Sequence, residues 1–155
     1  MKNAIKHMNA IFAVLILICG FLPYYSVSVS GYGRSDSSSE NFFYFLDGDN
    51  DRIIWVILIL LAIVVLAAAS YIAQVKQYLG IINIASSAVI VIANFLTIPG
   101  DAIFSNSYGG VTSEASRGIG LWLMVIVAVV AVAFNVIKLL KLKGNPLFDA
   151  INSEE

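Results

Sequence analysis

The residues best placed to do chemistry lie in Asp47-Gly48-Asp49-Asn50-Asp51-Arg52-Ile53-Ile54, where carboxylates alternate and a hydrophobic residue stands at the eighth place. Oxygens at that spacing can wrap a hard cation, as in the first half of a calcium-binding loop. The pattern departs from a complete loop twice: Arg52 takes the position of the turn glycine, and Leu58 that of the bidentate Glu. Asp101, Glu114 or backbone carbonyls would have to complete the shell. The expectation for Asp47, Asp49 and Asp51 is therefore at most a weak extracellular calcium site. A plainer reading gives these acids to solvation, with Asp51 capping the positive N-terminus of the helix that follows.

No other constellation points to catalysis. His7 stands beside Lys6 with no second histidine to share a transition metal, and Ser35–Ser39 has neither a nucleophile elbow nor a nearby base. Cys19 is the single cysteine and sits in an apolar run, which excludes an intramolecular disulfide and a cysteine-based metal site. An enzyme is the class least expected, and no cofactor beyond the weak calcium site is predicted. A net charge of −1 and a pI near 5.7 lack the concentrated basic surface that nucleic acid requires.

The remaining chemistry-bearing residues are neutral and lie inside apolar segments. Gly80, Asn83, Ser87, Ile90, Asn94 and Thr97 recur at steps of three and four, so they share one helix face. Ala128, Ala131, Asn135 and Lys138 do the same, and Ala62, Leu66, Ala69 and Ala73 offer a smooth face for close helix approach. Amides and hydroxyls are disfavoured against lipid, so the stripe of Asn83, Ser87, Asn94, Thr97 and Asn135 is predicted to face a bundle interior. It serves either as interhelical hydrogen-bond glue or as the lining of a path for a small polar solute. No ionisable residue interrupts the apolar cores, which disfavours an ion or proton pathway.

The elements that must position these residues follow from composition. Hydrophobic residues make up 59% of the 155, charged residues only 12%, and mean hydropathy is +0.88. Soluble domains carry about 25% charged residues. The deficit concentrates in charge-free gaps from His7 to Arg34, Arg52 to Lys76, Lys76 to Asp101 and Arg117 to Lys138. One small water-soluble core cannot bury them all. A span needs about 20 apolar residues, and four are predicted, at about 5–23, 53–72, 78–98 and 118–138 of a single domain covering 1–155. The first is the weakest, fully apolar only over Ala10–Leu22, with Lys6 able to snorkel; it is read as a retained helix rather than a signal peptide. The expected fold class is all-α membrane, an antiparallel bundle of four transmembrane helices under a small extracellular antiparallel β cap.

Orientation follows from the basic residues. Lys2, Lys6, Lys76, Lys138, Lys141 and Lys143 flank one side, whereas Arg34, Arg52 and Arg117 share the other with most of the acids. The lysine side, with both termini, is expected in the cytoplasm of a multi-pass cell-membrane protein. Tyr24, Tyr25, Trp55 and Trp122 fall where an outer aromatic belt would anchor. Outer loops run over 24–52 and 99–117, and a tail over 141–155. In the first loop, Tyr24–Gly31 alternates Val and Ser as a half-buried strand does; Arg34–Asn41 reads as a mobile turn; Asn41–Leu46 is aromatic and could pair back. In the second, Gly109-Gly110 between Ala102–Tyr108 and Val111–Ser113 signals a hairpin.

A first span ending in Leu22-Pro23-Tyr24, the Ser-Val strand, and Asp47-Gly48-Asp49 leading into the next span together resemble small bacterial tetraspan proteins of uncharacterised function. The layout is also similar to claudin-like tetraspans, which hold a β-sheet above four helices. The Trp-Gly-Leu-Trp segment and paired cysteines of claudins are absent from the first loop, so that likeness implies architecture alone. The function expected is a non-catalytic module acting by contact, with the bilayer and either another membrane protein or a second copy as partners. Asn41–Leu46 and the aliphatic helix surfaces are its candidate contacts. The alternatives are a small-solute pore lined by the asparagines, or a bacteriocin-immunity or phage lysis-type protein.

Overall fold

The computed structural model describes residues 7–46, 52–72 and 78–141. In chain order these form α1 (Met8–Cys19), β1 (Pro23–Gly31), β2 (Arg34–Asn41), α2 (Ile53–Ala68), α3 (Leu79–Thr97), β3 (Phe104–Tyr108), β4 (Val111–Arg117) and α4 (Ile119–Lys141). Short 3-10 turns occupy Phe42–Leu46, Ala69–Tyr71 and Gly100–Ala102. The connection expected around Gln74–Gln77 lies outside the described residues.

The helices form a four-cornered bundle in which α1 and α3 each pack against α2 and α4. The apolar stripes meet at its centre, where Ile16, Ile59, Leu66, Ile90, Leu121 and Met124 are fully buried. Ala62, Ala128 and Ala131 are buried too, letting backbones approach as their spacing predicts.

The expectation of an all-α fold with four transmembrane spans is corrected. The described residues combine four helices with a four-stranded antiparallel sheet, and among them only Leu79–Thr97 and Ile119–Leu140 are long and apolar enough to cross a membrane. With 12 and 16 residues, α1 and α2 reach only roughly 18 and 24 Å at ~1.5 Å per residue, short of a ~30 Å hydrocarbon core. The reason α1 stops early is local. Phe21 N–H bonds the Ile18 carbonyl and Leu22 N–H that of Cys19, so the helix tightens into a three-residue turn before Pro23 opens β1.

The sheet has strand order β2-β1-β4-β3, all antiparallel. Two further expectations change here. Arg34–Asn41 is a strand paired with β1, with a register shift at Tyr24, and not a mobile turn. Of Asn41–Leu46 only Asn41 pairs back, with Pro23; the aromatic run Phe42–Leu46 coils into a 3-10 turn that buries Phe42 and Phe45 under the sheet. The Gly109-Gly110 hairpin forms as its sequence predicts: Tyr108 pairs with Val111, and both glycines take positive φ, the pair a two-residue type I′ turn demands. At the other tip Tyr32 has φ +50°, unusual for a bulky residue, and its hydroxyl donates to the Gly109 carbonyl at 2.6 Å. That bond ties the two hairpin tips together.

Alternation sorts the sheet into two faces. Ser26, Ser28, Ser30, Ser35, Ser37, Ser39, Ser105, Ser107, Thr112 and Ser116 share one with Glu114. The other carries Tyr25, Val27, Val29, Phe104, Val111 and Ala115, and near the bundle it covers the helix ends: Tyr25 donates to the Ala102 carbonyl at 3.0 Å, and Ala115 is buried.

Sheet and bundle meet where β4 turns into α4. Gly118 N–H bonds the Tyr24 carbonyl at 2.8 Å, and a Cβ on Gly118 would run into the Pro23 carbonyl. Backbone cannot yield there as a flexible side chain could. Gly118→Ala is therefore expected to destabilise the protein by about 1–3 kcal/mol, read as a lower thermal midpoint in detergent; an unchanged midpoint would refute the close approach.

Candidate functional site: the polar interior and its collar

The stripe predicted on α3 and α4 points inward. Asn83, Ser87, Asn94 and Thr97 are fully buried and Asn135 is 1% exposed. The structure divides them into three groups that do different things.

The first group, at the end of the bundle away from the sheet, is an amide pair. Asn135 Nδ2 donates to Asn9 Oδ1 at 2.8 Å, and Asn9 Nδ2 returns a bond to Asn135 Oδ1 at 3.3 Å. Asn135 Nδ2 also reaches the Ala131 carbonyl one turn back at 2.8 Å. This pair staples α1 to α4. Asn9 falls within the first expected span, at about 5–23, but outside the polar stripe singled out from the sequence; it is buried at 3% exposure. The signal available was its place one helical period before Phe12 and Ala13, which are also buried. At the same end of the bundle His7 Nδ1 lies 2.6 Å from the Tyr71 hydroxyl, joining α1 to the turn after α2.

The middle group is Asn83 and Ser87, one turn apart on α3. Among the described residues, neither Asn83 amide atom nor the Ser87 hydroxyl has a hydrogen-bond partner. Gly80 faces Leu139, so antiparallel packing sets Asn83 about level with Asn135 on α4.

The outer group centres on Tyr24. This residue is not an interface anchor: its ring is completely buried, and its hydroxyl donates to Asn94 Oδ1 at 2.8 Å. The correction has a geometric cause. β1 starts directly over the mouth of the bundle, so its second residue points down between the helices rather than out to a membrane surface. Asn94 in turn donates through Nδ2 to the Ile90 carbonyl at 2.7 Å, and Thr97 to that of Ala93 at 2.8 Å. Phe42 and Phe45 close edge-on around the Tyr24 ring. Burial pushes the phenol well above its ordinary range, against smaller opposing effects of the Thr97 hydroxyl and Arg117. It remains a donor at any physiological pH.

Arg117 forms a collar around this mouth. Its Nε and Nη2 both donate to the Ile98 carbonyl, at 3.0 and 2.6 Å, where α3 presents the negative end of its dipole. The guanidinium lies 5.0 Å from the Phe95 ring centroid, and Phe95 meets Trp122 edge-on. Arg117 looked in the sequence like an ordinary loop charge; its double role follows only from the sheet register that sets it against Tyr25.

The remaining expectations fare differently. Trp122 is 46% exposed, and Trp55 and Tyr25 are half-buried. Of the aromatics in Asn41–Leu46, only Tyr44 is more than half exposed. Asp47, Asp49 and Asp51 lie outside the described residues, so the calcium expectation falls outside them as well. Of their proposed helpers, Asp101 is exposed and Glu114 accepts a bond from Ser105 at 3.3 Å. Among the described residues no three metal-ligating side chains come together.

The amide pair yields a direct test. Asn9→Leu and Asn135→Leu, alone and combined, should show a coupling of about 0.6–1.7 kcal/mol in a double-mutant stability cycle; purely additive losses would dissolve the pair. Tyr24→Phe should lower stability by about 1–3 kcal/mol, because Asn94 Oδ1 loses its hydroxyl donor. No protein-family model, curated protein or solved structure matches the chain.

Proposed function

We infer that the protein is a multi-pass integral membrane protein that works by contact, as an accessory subunit of a membrane assembly or as a homo-oligomer, without catalysis. The observation that carries this reading is an inverted distribution of polarity. Asn9, Asn83, Ser86, Ser87, Asn94, Thr97 and Asn135 are buried, whereas Ile54, Leu61, Val64, Ile81, Ile92 and Ile126 are each more than half exposed. Only 33% and 28% of the apolar windows of α3 and α4 are buried. Core helices of soluble proteins hide most of such a surface, and a contiguous exposed apolar area marks contact with lipid or with protein.

In this reading α3 and α4 cross the bilayer as antiparallel neighbours, with α1 and α2 packed beside them. The sheet stands outside, and the lysine-bearing ends, Lys138 among them, face the cytoplasm. Contact is favoured over chemistry because the buried polar groups are neutral amides and hydroxyls, and most of them bond to the bundle itself.

One observation favours a second reading, a route for a small polar solute: the unpartnered Asn83 and Ser87 inside the bundle. Against it, fully buried Ile90 and the Tyr24–Asn94 bond lie between them and the sheet. Solute flux from reconstituted liposomes above the empty-vesicle rate would favour the route; no flux would end it.

The membrane reading predicts that the protein stays in the pellet after alkaline carbonate washing. In a Cys19→Ala background, Tyr108→Cys should react with an impermeant maleimide on intact cells, and Lys138→Cys only after permeabilisation. Release by carbonate would overturn membrane integration. Labelling of both positions from one side would overturn the orientation.

A further inference from the structure

Among the described residues the four-stranded sheet ends in two unpaired edges, β2 and β3, and they are built differently. β2 (RSDSSSEN) carries Arg34, Asp36 and Glu40, the charged side chains that commonly guard an exposed edge against pairing. β3 (FSNSY) carries no charge, no proline and no bulge, and all five of its residues are exposed. A flat uncharged edge of this kind is a template for another strand.

The sequence of β3 says which strand fits. Phe104-Ser105-Asn106-Ser107-Tyr108 is nearly a palindrome about Asn106: aromatic, serine, asparagine, serine, aromatic. We propose that β3 pairs antiparallel with β3 of a second copy about a two-fold axis through Asn106, joining two four-stranded sheets into one continuous sheet. This rests on the contact reading above and names its partner as the chain itself.

The hydrogen-bond phase of the strand agrees. Tyr108 and Val111 close a two-residue hairpin, so Tyr108, Asn106 and Phe104 direct their backbone groups toward β4. Ser105 and Ser107 then direct theirs to the free edge. In the proposed register Ser105 lies opposite Ser107 of the second copy, and each such pair exchanges both N–H···O bonds. Asn106 meets its own counterpart in a non-hydrogen-bonded pair, where side chains approach most closely. Phe104 falls opposite Tyr108 of the second copy on the sheet face that carries Val27 and Val111, and these side chains are 41% and 92% exposed in the single chain. Aromatic cross-strand pairs stabilise a sheet, and no like charges meet anywhere along the seam. Because the contact is isologous it closes at two copies instead of propagating.

The geometry permits a position-specific test in the full-length Cys19→Ala protein, in native membranes under mild oxidation. Residues at the dyad would have Cα atoms about 4.5 Å apart, inside the roughly 4.4–6.8 Å that a disulfide spans. Asn106→Cys alone should give a crosslinked dimer. Ser105→Cys and Ser107→Cys should crosslink efficiently only when co-expressed with each other, and Ser37→Cys on the β2 edge should stay monomeric. In a Cys19→Ala chain without added cysteine, Asn106→Lys sets like charges opposite each other and should weaken the dimer, measured by dilution in detergent, by about tenfold or more. Equal crosslinking at Ser37→Cys, or no effect of Asn106→Lys on a dimer that does form, would overturn the proposed seam. An Asn106→Cys adduct with a different protein would overturn self-pairing and leave the contact reading standing. Monomer at every position, with no other protein captured, would overturn the seam as well, leaving any contact to the helix surfaces.

Discussion

The fold depends on one junction, at Tyr24. Its hydroxyl bonds Asn94 inside the bundle, its carbonyl accepts from Gly118 at the start of α4, and its ring is boxed by Phe42 and Phe45. A buried phenol and a buried amide each need a partner, since no water reaches them. By satisfying each other they fix the height at which β1 leaves the bundle. The register of β1 with β4 then sets Arg117 over the end of α3. Sheet, collar and helix packing are thus parts of one arrangement rather than a cap resting on a bundle.

Much of this could be read from residue types because periodic signals are local. The stripe on α3 faces inward as its spacing of three and four requires, since the side an amide avoids in an apolar medium does not depend on long-range detail. The Val-Ser alternation of β1 and the double glycine after Tyr108 specify strand and turn through backbone geometry alone. What escaped was set by distant partners. Arg34–Asn41 has the composition of a loop, and only its ladder with β1 makes it a strand. Tyr24 has the composition of an interface residue, and only the place where β1 begins turns it inward. Helix ends were misjudged because hydropathy continues through Phe21-Leu22 after the backbone has left the helix.

The polar interior follows a consistent logic. Where helices are joined inside the bundle, amides bond across the gap or fold back on the carbonyl one turn away. Asn83 and Ser87 break that rule among the described residues. Asn83 lies about level with the Asn9–Asn135 staple, and Ser87 one turn nearer the Tyr24 hub.

The order of the strands also bears on how the chain is made. The central ladder joins β1, beginning at Pro23, to β4, ending at Arg117, so the sheet's two middle strands are separated by most of the described chain. During synthesis the first hairpin must wait, its valine face uncovered, until the last has emerged, and loop closure over that separation is entropically slow. The interval between the two is when the nascent protein is most open to mispairing, and a chaperone or an early neighbour would find its valines there.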